Sequence, residues 1–554
     1  MQANVPRDYL PSPDQQPDFI YALPEMDYPQ VNVTHYLLDR HLEAGKGDQT
    51  AIYFEDERVS YAQLHERVNR LASALQRLGV EAGDRVMLRL PNRPELIVGI
   101  LATQRLNAVA LPTMKLLRAR ELSYIANDAE VKVLVVHHTL LSEVEACRKE
   151  LSTLQHVIVA SGSAGEGDHD YDALLASGQA QFEAVETEPD DLALLLYTSG
   201  TTGVSKGAWH THHRMLASAD SYARYCLVPQ EGDVFGGNPP LPFAYGYGGL
   251  LFYPLYFGLS VCLVDSVQPA DYFAAVEQAK VSVFFSVPTF YNQVLKRFGD
   301  EAQQYDLSSL RLCVSAGEPL PAETYEAWQK RFGVQTLDGI GTTEMFHIFI
   351  SHRVGEEIQP GSTGRPAPGY EVKLFDDALC EVPRGQPGLL GIRGPTGITY
   401  WRKPDEQKRI VRQGWSLPGD VYIKDEAGRL WYQARRDDMI ITGGYNIAGP
   451  EVEAVLMEHE AVLECAVVAS PDPERGYVVK AFVQLRESHA PSDALRQALQ
   501  DFVKANLAPY KYPRRVEFLG EREDLTTLPR TETGKIKRAL LRQREARLPR
   551  LHAR

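Results

Sequence analysis

Apolar residues recur at helical spacing across 61–78, and the run Arg85-Val86-Met87-Leu88-Arg89-Leu90 follows soon after. The first pattern predicts an amphipathic helix and the second a strand. A further helix is predicted over 95–106, and 131–137 (VKVLVVH) and 157–160 (VIVA) read as strands rich in β-branched residues. The alternation continues beyond Asp191, with short apolar strands predicted at 192–196, 259–264, 281–286 and 310–314. Strands and helices in alternation specify layered α/β structure. The small, polar stretch 162–170 reads as a surface loop. Near Pro366 the texture changes to short strands and Gly/Pro turns such as 383–388, which predicts a small β-rich subdomain. The charged break Arg435-Arg436-Asp437-Asp438 precedes a last block of strands and helices. The expected architecture is α/β: a large N-terminal domain (1–434) of layered α/β subdomains plus the β-rich subdomain, a boundary at 435–438, and a small α+β C-terminal domain (439–554).

Length and composition narrow the class. A chain of 554 residues exceeds a single ordinary core, and 44% hydrophobic with 24% charged residues is normal for a globular protein. The formal charge of −15 argues against a nucleic-acid partner, which would require a basic face. The six cysteines show no CxxC or Cys/His spacing, so neither a disulfide framework nor a zinc site is expected. The first 29 residues are polar and proline-rich, and no apolar run reaches the roughly 18 residues of a membrane span. A cytoplasmic enzyme without a membrane partner is expected.

The most informative stretch is Tyr197-Thr198-Ser199-Gly200-Thr201-Thr202-Gly203-Val204-Ser205-Lys206-Gly207. Glycines allow backbone N–H groups to approach phosphates, the hydroxyls of Thr198, Ser199, Thr201 and Thr202 add donors, and Lys206 adds positive charge. The loop leaves a predicted strand end, where open α/β sheets bind ligands. Its spacing differs from GxxxxGK[ST], so it is not a Walker A loop, but it still points to a nucleoside triphosphate. Such a nucleotide arrives as a magnesium complex, and magnesium prefers carboxylate oxygen. Glu344 in Asp338-Gly339-Ile340-Gly341-Thr342-Thr343-Glu344 is the candidate ligand, with the Thr343 hydroxyl available to the α-phosphate.

Three further segments complete an ordered set: 414–420 (GWSLPGD), 435–440 (RRDDMI) and 529–535 (PRTETGK). With these motifs the chain resembles the adenylate-forming superfamily of acyl-CoA synthetases, peptide-synthetase adenylation domains and luciferases, over nearly its whole length. The resemblance implies that Asp420 accepts the ribose hydroxyls of ATP and Arg435 contacts ribose or phosphate. It implies that Gly317, Glu318 and Pro319 form one wall of the adenine slot, with Asp338 and Gly339 on the other. Lys535 would stabilise the charge built up when a carboxylate attacks the α-phosphate. Asp437 would be the hinge of a mobile C-terminal domain, and Gly443, Gly444 and Tyr445 would face coenzyme A in a second conformation. Pro418 and Ala434 depart from the residues common before Gly419-Asp420 and Arg435, which leaves the local loop geometry open.

The substrate side is read from 239–249 (PPLPFAYGYGG). Ala244 stands where amino-acid-activating relatives carry an aspartate for the substrate ammonium, so a free α-amino acid is disfavoured. Tyr245, Tyr247, Phe346, His347 and Ile348 offer flat, apolar walls that suit an aromatic ring. The stretches 243–246, 338–348 and 443–450 resemble benzoate and 2-aminobenzoate coenzyme A ligases. Phe243, Ala244, Tyr245, Gly246, Ile340, Gly341 and His347 are the expected substrate contacts, with His347 able to hydrogen-bond an ortho substituent or the carboxylate. The expected activity is a two-step ligation with ATP, Mg2+ and coenzyme A on a small aromatic carboxylate, 2-aminobenzoate being favoured over benzoate or hydroxybenzoate. Free coenzyme A is favoured over a carrier protein as acceptor, and the chain is expected as a monomer or homodimer. A carrier-loading aryl-acid adenylating enzyme and a non-catalytic nucleotide-binding relative are the alternatives. Joint retention of Lys206, Glu344, Asp420, Arg435 and Lys535 argues against the latter.

Overall fold

The computed structural model describes residues 4–29, 31–198, 205–298, 301–442, 445–472, 476–507, 511–531 and 534–547. The chain forms two compact units, the first reaching to 372 and resuming at 392–418, the second built from 373–391 and 419 onward.

Two sheets organise the first unit. One has seven strands, in which 156–160, 131–137, 85–89, 109–112 and 192–198 lie side by side and parallel. Strand Lys206–Thr211 closes its edge antiparallel to Leu192–Thr198, with Thr198 opposite Lys206. At the other edge His169–Asp170 pairs with Ile158 and Val159, so the predicted loop 162–170 ends in a short strand. The other sheet has nine strands; six of them are parallel, from Thr50–Phe54 across to Gln335–Gly341, and three antiparallel strands lie at its edges. The parallel strands are buried through most of their length, as strands covered on both faces must be.

Helix Tyr61–Arg77 forms where the periodicity places it. Its Ser60 side chain accepts from the Gln63 N–H, and the Gln63 side chain accepts from the Ser60 N–H. Such a cap contributes about 1 kcal/mol by satisfying donors that have no partner within the helix. Tyr61, Leu64, Val68, Leu71, Ala72 and Leu75 form the buried stripe.

In the second unit, residues 387–389 pair antiparallel with strand Asp420–Lys424, which pairs antiparallel with Leu430–Arg435. A hairpin, Met439–Thr442 with Tyr445–Ala448, is followed by a three-stranded sheet of Val462–Asp472, Gly476–Leu485 and Arg515–Phe518. Helices Gly449–Glu458 and Asp493–Asn506 supply Val452, Leu456, Leu499 and Val503 to a core with Val467, Val483 and Phe518. Helix Arg538–Arg547 places Leu541 in a second cluster with Val468 and Phe482. Buried Lys480 is satisfied by Glu517 at 2.6 Å and Glu545 at 2.8 Å. Desolvation alone would raise the Glu517 carboxyl, but hydrogen bonds and charge from Arg544 and Lys480 hold it below its ordinary range.

Candidate active site

In the first unit, the phosphate-loop candidates Ser199, Gly200, Thr201 and Thr202 lie outside the described residues. Their two flanks are defined. Thr198 ends one strand, Lys206 opens the antiparallel partner, and the Thr198 hydroxyl lies 3.5 Å from the Lys206 carbonyl. The Lys206 ammonium pairs with Glu406 Oε2 at 2.7 Å and lies 5.7 Å from the centre of the Tyr400 ring. The Tyr400 hydroxyl in turn donates to Glu344 Oε1 at 2.8 Å. Two sequence candidates for ATP and metal, Lys206 and Glu344, are therefore joined through residues that no motif marked.

Thr343 and Glu344 sit in the short turn Thr343–Met345, between the antiparallel strands Gln335–Gly341 and Ile348–Ser351. The Thr342 side chain caps this turn by accepting from the Met345 N–H. Phe346, which ends it, has φ +70°, a conformation that costs a non-glycine residue about 1–3 kcal/mol. Its ring is buried and packs 5.7 Å from Tyr247 and 5.5 Å from Phe252, contacts that offset the strain.

The aromatic residues expected to line one pocket fall into two groups. Phe346 and Tyr247 pack with Phe252, and the Tyr247 hydroxyl contacts the buried Gln104 amide at 2.8 Å. His347 instead lies among Tyr253, Tyr222 and Tyr245, with ring centres 4.7, 5.3 and 5.6 Å away. Tyr245 is fixed by its hydroxyl, 2.9 Å from the carbonyls of both Ser286 and Val314. Gly246 has to be glycine, since a Cβ there would fall 2.1 Å from the Pro240 carbonyl oxygen. At Gly248 a Cβ would fall 2.2 Å from the His347 ring, so this glycine admits the imidazole. Phe243 precedes helix Ala244–Tyr247, in which Ala244 is buried. Ile340 and Gly341 end the strand that leads to Thr343, and Ile348 begins the next.

The electrostatics of His347 are one-sided. Burial pushes its pKa down to about 3, so the ring is neutral across the physiological range. Nε2 lies 3.2 Å from the Tyr245 carbonyl, which can only accept, so Nε2 carries the proton. Nδ1 is then a bare acceptor, and it is buried without a hydrogen-bond partner.

Asp338 is also buried, on the strand next to Ser315, and burial raises its pKa to about 8 against weaker lowering by Ser315 and the Gly339 N–H. One of its oxygens has no hydrogen-bond partner. Gly317 (φ +89°), Glu318 and Pro319 form the connection from strand Leu312–Ser315 towards helix Ala322–Phe332, and Glu318 accepts from the Thr289 hydroxyl at 2.7 Å.

In the second unit, Asp420 and Arg435 occupy opposed positions of an antiparallel pair, with Arg435 Nη1 3.1 Å from Asp420 Oδ2. Gly419 keeps φ +92° and its carbonyl accepts from the Arg436 N–H, while Ala434 is buried opposite Val421. Ala434 is therefore accommodated in a hairpin whose register shifts between Val421 and Tyr422 and which keeps the two polar side chains together. Asp437 lies in the turn Arg436–Asp438. Gly443 and Gly444 lie outside the described residues, and Tyr445 opens the second strand of its hairpin. Lys535 is exposed on a tight loop: its N–H donates to the Thr531 hydroxyl, its carbonyl accepts from the Thr531 N–H at 2.7 Å, and Gly534 has φ +85°.

Two sheets of parallel strands in one unit and a second, α+β unit define a two-unit α/β protein. Comparison with known proteins agrees. The AMP-binding enzyme model matches residues 38–401, and the AMP-binding enzyme C-terminal domain model matches 451–535. The benzoate–CoA ligase of Thauera aromatica is 38% identical over 518 residues, 93% of this chain and 96% of that protein. The crystal structure of an anthranilate CoA ligase in complex with anthranoyl-AMP aligns at TM-score 0.87 and 35% identity, over 95% of this chain and 98% of that one. A benzoate CoA ligase from Burkholderia xenovorans LB400 aligns at TM-score 0.81 and 33% identity, over 92% and 99%. The chain belongs to the AMP-binding enzyme family, among its AMP-forming acid–thiol ligases.

Among the described residues no helix is long and apolar enough to cross a membrane.

Proposed function

We propose that the protein is an aryl-carboxylate coenzyme A ligase whose preferred acid is 2-aminobenzoate, with benzoate and hydroxybenzoate as poorer substrates. The observation that carries the substrate is the buried His347 Nδ1, an acceptor without a partner in an aromatic cluster. An ortho amino group donates and would satisfy it, whereas unsubstituted benzoate would leave it bare, at a cost of about 1–3 kcal/mol. Ala244 supports the same reading by withholding the carboxylate that an α-ammonium would need.

In the first half-reaction a carboxylate oxygen attacks the α-phosphorus of ATP, the new P–O bond forms, the α–β bridging P–O bond breaks and pyrophosphate leaves. Lys206 holds the polyphosphate, Asp420 and Arg435 the ribose side, and Gly317, Glu318, Pro319, Asp338 and Gly339 the adenine. Thr343 donates to the α-phosphate, and Lys535 neutralises the charge that two approaching anions build up. In the second half-reaction the thiol of coenzyme A attacks the acyl carbon, the C–S bond forms and AMP leaves with the electrons of the C–O bond. The hinge at Asp437 exchanges Lys535 for the 443–445 segment between these steps.

Among the described residues no group of three or more His, Cys, Asp or Glu side chains could hold a metal ion by itself. A single carboxylate beside a polyphosphate is nevertheless how magnesium is commonly bound, so Glu344 suits a Mg·ATP complex. When bound, magnesium would neutralise phosphate charge and orient the pyrophosphate leaving group.

The test is a panel of substituted benzoates with Mg·ATP, read as conversion of ATP to AMP, run once with coenzyme A and once with a phosphopantetheinylated carrier protein. The expected result is highest kcat/KM with 2-aminobenzoate and coenzyme A. Preference for aliphatic acids, or turnover with the carrier alone, would reject the assignment.

A further inference from the structure

The partner of Lys206 is built into the fold. The Trp401 N–H donates to the Gly207 carbonyl at 2.8 Å, and Tyr400 bridges to Ala208, so the segment that follows lies against the strand that begins at Lys206. Wholly buried Gln407 accepts from the Tyr400 N–H at 2.9 Å and donates to the Ile398 carbonyl at 2.8 Å, which ties helix Pro404–Ile410 to the same place. Glu406, in the first turn of that helix, faces Lys206 at 2.7 Å. The pair is largely shielded, with the lysine side chain 12% and the glutamate side chain 27% exposed. Glu406 also holds Arg409, one turn along the helix, at 2.6 Å.

We infer that Glu406 is a positioning residue that serves as an exchangeable counter-ion for Lys206 and sets the affinity for the triphosphate. The reading rests on the role proposed above for Lys206. An incoming polyphosphate carries several negative charges against the single charge of Glu406, so it wins the lysine, but the attraction that Glu406 exerts is subtracted from its binding. Arg409 makes the exchange possible. When Lys206 turns to the phosphates, Glu406 keeps one cationic partner, so no partly buried carboxylate is left uncompensated, which would be costly. The shared carboxylate thus keeps the lysine ordered and ready at the start of its strand while limiting how tightly ATP and pyrophosphate are held. Limited affinity favours release of pyrophosphate after the first half-reaction.

The charge-neutral variant Glu406→Gln tests this. Equilibrium titration with a non-hydrolysable ATP analogue and with pyrophosphate, in the absence of any acid, should give dissociation constants roughly three- to tenfold lower than wild type, as expected for one partly shielded charge interaction. The gap should narrow as salt rises. In turnover, KM for ATP should fall while KM for the aromatic acid stays, and pyrophosphate should become a stronger inhibitor. Should the Gln variant fold poorly, Glu406→Asp, which keeps the charge on a shorter arm, should show a smaller change of the same sign. Unchanged or weaker analogue binding in either folded variant would overturn the inference. Because the titration contains no acid, it stands apart from the substrate assignment: a panel without an active aromatic acid would reject the proposed substrate and leave the binding comparison intact.

Discussion

The Tyr400 hydroxyl donates to Glu344 Oε1 at 2.8 Å, across 56 positions of sequence. The bond fixes one oxygen of the carboxylate proposed to meet magnesium and leaves the other for the metal. Groups that orient a ligand in this way commonly govern metal affinity. Tyr400→Phe removes the hydroxyl and keeps the ring, so the chain should fold normally. Its magnesium requirement should rise about tenfold, both in turnover and in Mg2+-dependent binding of an ATP analogue. An unchanged magnesium dependence would separate Tyr400 from the metal.

Asp420 and Arg435 form the corresponding pair in the second unit, at 3.1 Å across a hairpin. Asp420 is buried and Arg435 is partly exposed, so the arginine serves to orient the carboxylate more than to stabilise the fold. Asp420→Asn exchanges an acceptor oxygen for a donor at the proposed ribose contact, and KM for ATP should rise roughly tenfold or more. KM for the aromatic acid, measured at saturating ATP, should hardly move.

Much of the scaffold was legible before the structure, and particular residues show why. Helix Tyr61–Arg77 carries its own start signal in Ser60 and Gln63, and its buried stripe is local to one element. The parallel strands 131–137, 192–198 and 260–263 are short apolar runs that read as strands, whereas Gln335–Gly341, with its polar residues and glycines, was not legible and takes its place from pairing with Leu312–Ser315. Strand Lys206–Thr211 was not legible, because KGAWHT has neither alternation nor a continuous apolar run; its place follows from pairing with Leu192–Thr198. The ion pair of Lys206 with Glu406 spans 200 positions, and Glu406 reads as one more charge on a short surface helix. Likewise His347 is conspicuous in sequence, but only tertiary packing decides which nitrogen is protonated and which is left without a partner.

Replacing His347 tests that assignment. His347→Phe keeps a flat ring beside Tyr245 and Tyr253 and removes the acceptor. The preference for 2-aminobenzoate over benzoate, expressed as a ratio of kcat/KM values, should fall by about fivefold, the effect of one net hydrogen bond. Because the ring is already neutral, with its pKa near 3, the ratio in the wild type should be flat between pH 6 and 8. A ratio that survives the substitution would place the ortho-group contact on another residue.

Lys535 is exposed on a loop closed by two Thr531 hydrogen bonds, an arrangement that presents the ammonium without burying it. Lys535→Ala should lower adenylate formation by roughly a hundredfold or more. Thioester formation from supplied acyl adenylate should largely survive, since the lysine is proposed to act only in the first step. Thr531→Ala loosens the loop and should produce a smaller loss confined to the same half-reaction. Equal loss in both half-reactions would reject the division of labour between Lys535 and the 443–445 segment.

Asp338 gives a stability prediction whose sign follows from linkage. Burial raises its pKa from about 3.8 to about 8, so between those values the native state holds a proton that the unfolded state has released. The contribution of Asp338 to stability is therefore fully present below pH 4, declines as pH rises through that window, and is lowest above pH 8, where the buried carboxyl must ionise. Asp338→Asn is nearly isosteric and cannot ionise. The difference in Tm between the variant and wild type should shift steadily in favour of the variant as pH rises from 4 to 8 and level off above that. Thermal melts of both proteins at half-unit pH steps check this. Parallel Tm profiles across the range would mean that the carboxyl titrates near its ordinary value and that its burial is relieved in solution.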